Sequence, residues 1–333
     1  MNEPLWVVGG EQKPTFLDPN EWNKFRAAVV VRVDPESGRL ERVLEYQSPP
    51  EHCPDDRPSH VFKAATIEKD AIWLCTQTEV LECGFPGFEI RRVLSLPCFN
   101  DLHHVTPGPD GTLFVAVTGL DAVAEITREG ELLRLTDVLG GDVWDRFDRS
   151  ADYRKVPTTK PHRSHPNYVF FLDGQPWVTR FEQRDAAAVD PSRNGRRGPF
   201  AVGTQGIHDG HVVRDRLVFT SVDGHVVTFD IRTWERRDLD LNGLGRDGDW
   251  TLGWCRGVLT DGEARLAWVG FSRLRRTKLR QNLSWVRHGF REMPRLPTRI
   301  TLYDLEHPAR LKEIDLEPAG LNAVFSIHGA PAA

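Results

Sequence analysis

Cysteine and methionine are scarce: five Cys and two Met in 333 residues. Cys53, Cys75, Cys83, Cys98 and Cys255 include no CxxC pair and their number is odd, so a disulfide framework is not indicated. Long apolar runs are missing as well. The longest near the N-terminus, Ala27 to Val31, is cut by Arg32, and nothing approaches the roughly 18 apolar residues of a membrane span. The opening MNEPLWVVGGEQK carries Glu3 and no basic stretch, unlike a secretory signal. Reduced thiols and a cytoplasmic location are therefore expected. There is no excess of positive charge: Lys+Arg is 43 against Asp+Glu 48, a net charge of -5. That argues against a general nucleic-acid binder.

What is present is a globular composition, 39% hydrophobic and 27% charged, with ten Trp. It is too apolar for a disordered chain and long enough to bury a large core without staples. The length would hold two average domains or one large barrel or propeller.

One segment type recurs. A short apolar strand, a tight turn and a second strand appear in KAATIEKDAIWL, HHVTPGPDGTLFV, NYVFFLDGQPWV, GHVVRDRLVF and RGVLTDGEARLAWV. Asp-Gly occupies three of the turns, Asp110-Gly111, Asp173-Gly174 and Asp261-Gly262, a strong hairpin signal because both turn positions favour positive φ. The second strands align Trp73, Phe114, Trp177, Val218 and Trp268 in one column, which reads as packing between repeats. A sixth copy is split. Its first strand is LNAVFSI near the C-terminus and its second is LWVV near the N-terminus, adding Trp6 to the column. A second hairpin follows each copy, as in VVVRVDPESGRLERVLEY and ITLYDLEHPARLKEIDL.

Two hairpins per repeat make four antiparallel strands, one propeller blade. The equivalent points Ala65, Val105, Val169, Val212, Val258 and Val324 are 40, 64, 43, 46 and 66 residues apart. Three intervals fit a blade of roughly 40–45 residues; the other two imply insertions near 138–163 and 272–297. The expected fold is an all-β, single-domain, six-bladed β-propeller, closed by the N- and C-terminal strands sharing a blade. Two stacked β-sandwiches are the alternative, which would not explain a repeat split across the termini.

TPGPDGTLFVAVTG, residues 106–119, resembles the PDG-x-LYVAD element of propellers of the NHL / SMP-30 / TolB-like kind. The repeat resemblance covers nearly the whole chain and implies the fold. Such families include sugar lactonases, lyases, strictosidine-synthase-like enzymes and pure binding modules. The SMP-30 lactonases hold a divalent metal with Glu, Asn and Asp on inner strands; this chain offers histidines at the corresponding depth.

In a propeller the loops entering the innermost strands converge on one end of the channel, where ligands bind. Four positions before the equivalent points stand Val61, Asp101, His165, His208, Trp254 and Gly320. Two positions before stand Lys63, His103, Asn167, Gly210, Arg256 and Asn322. Side chains repeat every second residue along a strand, so both columns are expected to face one way, with His104 and His211 facing the other. His103, His165 and His208, with His162 nearby, suit a divalent transition metal (Fe, Mn, Zn or Cu) or shared acid/base work. Asp101 and Asp223 would orient groups or accept protons. Lys63, Arg180, Arg256 and Arg273, with Asn167 and Asn322, would hold an anionic substrate; inter-blade salt bridges are the plainer role for each Arg. Cys255 is out of phase with both columns and reads as packing.

The insertion at 138–163 runs into His162 and His165 and is a candidate lid. That at 272–297 is basic, with Leu279, Leu283, Val286 and Phe290 on one helical face between Ser272 and Gly289. It would dock on the rim or contact an acidic partner or surface. The functional expectation is an enzyme, metal-dependent, acting on a small anionic molecule at the channel mouth as a hydrolase, lyase or isomerase. The alternative is a non-enzymatic binding module for a protein, peptide or sugar.

Overall fold

A computed structural model describes residues 1–13, 24–56, 58–190, 198–203, 205–244, 252–273 and 296–330. Six sheets of four antiparallel strands form a propeller, and the stacked sandwiches are ruled out. Blade 1 joins the chain ends: Ala323–His328 is its innermost strand, followed by Leu5–Gln12, Phe25–Val33 and Leu40–Tyr46. Leu5–Gln12 pairs with both Phe25–Val33 and Ala323–His328, which closes the ring and turns the inner edge strands toward the channel, where they are protected. The innermost strands of blades 2 to 6 are Thr66–Glu68, Leu102–Pro107, Pro166–Leu172, His211–Val213 and Trp254–Thr260.

The aromatic column becomes the cement between blades. Trp6 packs in a core between blades 1 and 2, Trp73 between 2 and 3, and Phe114 between 3 and 4. Trp177 lies between 4 and 5, Val218 between 5 and 6, and Trp268 between 6 and 1. Each blade thus buries one column residue against its neighbour, at about 25 cal/mol per Å² of apolar surface removed from water. Cys255 sits in the core between blades 5 and 6, and burial pushes its thiol well above the usual range, which fits packing rather than nucleophilic chemistry. All five cysteines are buried and unbridged. Of the Asp-Gly turns, Asp173 and Gly174 take positive φ at 51° and 71°, as the hairpin signal requires. Between Asp261 and Leu266 it is Ala264 that takes it, at 50°.

The insertion at 138–163 packs against blades 2 and 3. Val143 and Tyr153 join the core between those blades, and Asn100 Nδ2 donates to the Tyr153 and Val156 carbonyls, each at 2.8 Å. Arg146 pairs with buried Asp121 at 2.7 Å. The segment reaches the channel only at its end, through Lys160, Pro161 and His162. The proposed helix in 272–297, with Leu279, Leu283, Val286, Phe290 and its Gly289 stop, lies outside the described residues. Among the described residues no helix is long and apolar enough to cross a membrane.

Candidate functional site

The inner strands do not run straight into the channel; they bulge. In blade 3, Leu102 pairs with Val117 and His104 with Ala116, so His103 is the extra residue. In blade 4, Pro166 and Val169 face Arg180 and Val178, placing Asn167 and Tyr168 against one partner. In blade 6, Arg256 and Gly257 oppose Gly270 alone. In blade 1, Val324 and Ser326 pair with Gly9 and Val8, expelling Phe325. A bulge re-aims a side chain and breaks strict alternation. The partner strand must come close: a Cβ on Gly270 would meet the Arg256 carbonyl oxygen.

The bulges surround a cavity of ≈ 600 Å³ at the end of the channel where the inner strands begin. Lys63, Asp101, His103, His162, His165, His208, Arg256 and Arg273, all expected there, do line it. Four other candidates do not. Asn167 stands behind His103. Asn322 accepts from the Gln12 backbone N–H at 2.9 Å. Arg180 turns to Asp185 at 2.6 Å and to the Val138 carbonyl at 3.0 Å. Asp223 accepts from Ser221 Oγ in the next turn. The two asparagines are spent on neighbouring groups instead, Asn167 on His103 and the Ile207 carbonyl and Asn322 on the Gln12 backbone; Ala323 and Phe325 line the cavity in blade 1.

A chain of hydrogen bonds fixes the protonation of His103. Asn167 Nδ2 donates to the Ile207 carbonyl at 2.6 Å. A carbonyl only accepts, so Asn167 Oδ1 must face His103 Nδ1, which therefore carries the proton. That leaves His103 Nε2 bare, and it accepts from Lys63 Nζ at 3.0 Å. Lys63 Nζ also lies 3.2 Å from Asp101 Oδ1, and Asp101 Oδ1 is 3.4 Å from His103 Nε2. Burial, reinforced by the Lys63 charge, lowers His103 to about 4. Burial alone would raise Asp101; Lys63 and His103 outweigh it and hold the carboxyl well below its ordinary range.

His165 and His208 complete the imidazole wall. Their ring centroids lie 4.8 and 6.0 Å from that of His103 and 6.3 Å from each other. Burial lowers both well below the usual value, helped by His103 for His165 and by Arg256 for His208. His165 Nδ1 meets His162 Nδ1 at 2.9 Å, so one of the pair donates. The buried Nε2 of His208 has no hydrogen-bond partner among the described residues. Sequence reasoning missed the residue that sets His165. Asp121, a blade away, accepts the backbone N–H groups of Arg163, Ser164 and His165 at 2.8 to 2.9 Å. It thereby holds His165 at φ 58°, and only its position next to Gly119-Leu120 in a left-handed turn could have flagged it.

Beside the imidazoles, Arg256 stacks over Trp254 and Phe325 at 5.1 and 4.6 Å, and Lys63 over Phe325 at 4.9 Å. Arg273 bonds Gln12 at 3.0 Å and Glu317 at 3.4 Å. Among the described residues no three His, Cys, Asp or Glu side chains are arranged to hold a metal ion. The atoms best aimed at one, Asp101 Oδ1 and His103 Nε2, both face the Lys63 ammonium instead.

No family model and no curated protein matches this chain. Solved structures do. A protein of unknown function from Bacteroides caccae overlays with a TM-score of 0.56 at 12% identity, over 98% of both chains. A chain of a nidogen/laminin complex overlays with a TM-score of 0.57 at 9% identity, over 97% of both. A streptogramin B lyase reaches a TM-score of 0.48 at 12% identity, over 94% of this chain and 88% of its own. The first two likenesses support the fold alone; the class, a six-bladed β-propeller, follows from the six four-stranded sheets.

Proposed function

We propose that the charged channel mouth binds a small organic anion and moves a proton on it. The observation that carries this is His103: a base whose tautomer is fixed by Asn167, set in a ≈ 600 Å³ cavity beside Lys63 and Arg256. A base held neutral at physiological pH keeps a lone pair available. A proton taken from the bound molecule goes onto His103 Nε2, Nδ1–H stays on Asn167, and Asp101 opposes the new imidazolium. Lys63 Nζ, released from Nε2, faces the charge that develops on the substrate. His165 and His208 stand where a second proton transfer would occur. Hydrolase, lyase and isomerase chemistry all use such steps, and lactonases and lyases are among the NHL / SMP-30 / TolB-like propellers that residues 106–119 resemble. This reading gives the place between Asp101 and His103 to Lys63 rather than to a divalent transition metal.

One observation favours a binding module instead: the candidate groups already satisfy one another, Lys63 with Asp101 and His103, and His162 with His165. One experiment separates the two. The protein is incubated with a mixture of small carboxylates and phosphate esters, and mass spectrometry reads what is retained and what is consumed. An enzyme consumes a component and loses that with His103→Gln while retention persists. A binding module retains without consuming. If neither retention nor consumption is found, the anion site itself is wrong.

A further inference from the structure

Six hydrophobic clusters lie between the six blades; a seventh does not. Phe25, Val61, Ala323 and Phe325 form a separate cluster contributed by blade 1 and the approach to blade 2. All four line the charged cavity. Phe325 is there because the blade 1 bulge expels it from the ladder. The cluster is therefore an apolar wall of the cavity, and an apolar wall in a polar site is matched by an apolar part of the ligand.

The cations sit at the edge of that wall. Lys63 and Arg256 both cover the Phe325 ring, at 4.9 and 4.6 Å. Their charge is largely matched already. Lys63, Lys160, Arg256 and Arg273 line the cavity, as do Asp101 and Glu182, while Glu317 bonds Arg273.

Resting on the anion-site reading above, we propose that the ligand class is an amphiphilic anion: a carboxylate-type head on an alkyl or aryl body. The head faces Arg256 and Lys63, and the body lies on Phe25, Val61 and Phe325. A sugar phosphate fits less well. Its hydroxyls would be stripped of water against groups that cannot hydrogen-bond.

Calorimetric titration with butanoate, hexanoate and octanoate tests this, with inorganic phosphate and octylamine alongside. Each methylene moved from water onto the wall is expected to tighten binding about fourfold. Octanoate should then bind on the order of a hundredfold more tightly than butanoate, and octylammonium should not bind. Val61→Thr, close in shape, should reduce the dependence on length, and Phe325→Ser should nearly abolish it; a thermal melt verifies that each variant is folded. Should butanoate and octanoate bind equally while phosphate or butanoate still binds, the amphiphile is wrong and the anion site stands. Should neither any carboxylate nor phosphate bind, both fall.

Discussion

The same inner strands build two different ends of one channel. Where the strands begin, the cavity holds lysine, arginine and carboxylate beside its imidazoles. Further along lies a second cavity of ≈ 290 Å³, lined by Tyr168, His211, His328, Thr66 and Thr260 among others. None of its described lining residues is Lys, Arg, Asp or Glu. His104, just behind this end, accepts from the Val169 backbone N–H at 3.1 Å, so its Nε2 donates to Thr66 Oγ1 at 3.0 Å. Its ring stacks on Tyr168 with centroids 3.6 Å apart. Both of its nitrogens are spent tying blades together, whereas His103, one residue earlier, has a nitrogen facing a lysine. Histidine content therefore says little about chemistry; the charge that accompanies each ring decides.

Acid should weaken both ends. Burial lowers His103 and His211 to about 4, His328 to about 3, and His104, His165 and His208 well below the usual value. The unfolded chain, with ordinary imidazoles, binds more protons below about pH 6.5 than the folded one, so stability rises with pH there. It is fully present above about pH 6.5 and is lost as pH falls toward the folded values. Each ring contributes up to about 1.4 kcal/mol per pH unit, and several together rival the whole stability of a domain, about 5–15 kcal/mol. Melting temperatures between pH 8 and 4 check this. His211→Gln with His328→Gln should flatten the profile without touching the charged end, and a flat wild-type profile would contradict neutral burial at both.

Removing a charge should hurt the first end more than removing a hydroxyl hurts the second. Asp101→Ala takes away the carboxylate facing buried Lys63, at an expected cost of about 3–5 kcal/mol. Thr66→Ala removes one neutral partner of His104, at about 1–3 kcal/mol. Denaturant midpoints at pH 7.5 measure both, and equal costs would mean that Lys63 is not charged in the fold. Lys63→Met should move the His103 titration upward from about 4, since Lys63 is the second cause after burial. Histidine proton resonances read that shift. Elemental analysis of chelator-free protein belongs with it. Lys63 occupying the Asp101–His103 position predicts no stoichiometric Fe, Mn, Zn or Cu in the wild type, and finding one would overturn the proton-transfer geometry.

Much of this architecture was legible in the sequence. The split repeat LNAVFSI/LWVV announced the closure, and the aromatic column at Trp6, Trp73, Phe114, Trp177 and Trp268 announced the inter-blade cores. The grouping of Lys63, Asp101, His103, His165, His208 and Arg256 followed from counting back along inner strands. What the count could not see is the bulge, because one extra residue changes no composition and leaves no periodic trace. Hence Phe325, which the bulge turns inward, was not placed in the cavity; Asn167 and Asn322 were, because the count does not carry their bonds to His103 and to the Gln12 backbone. Arg180 fell to a similar blind spot: Asp185, five residues on, meets it across a hairpin. Asp121 acts through backbone N–H groups 42 to 44 residues away, a contact that only the folded ring creates.

The smallest expected difference is the most specific test of the comparison, because Asn167 and Tyr168 are adjacent and face opposite ends. Tyr168→Phe removes a hydroxyl whose contact with His211 Nδ1 is long, 3.4 Å, and should cost no more than about 0.5–1.5 kcal/mol with no change at His103. Asn167→Leu removes the acceptor that fixes the His103 tautomer and leaves a buried N–H and the Ile207 carbonyl unmatched, at about 1–3 kcal/mol each at most. Stability separates the two variants in size but not in cause. The tautomer does. In the wild type, the nitrogen shifts of His103 should report protonated Nδ1 and bare Nε2. In Asn167→Leu the Lys63 ammonium still favours a bare Nε2, but the ring is free to turn, so the signature should broaden or mix. In Tyr168→Phe it should be unchanged. A His103 tautomer insensitive to Asn167 would mean that Lys63 alone sets the base, and Asn167 would become packing like its neighbour.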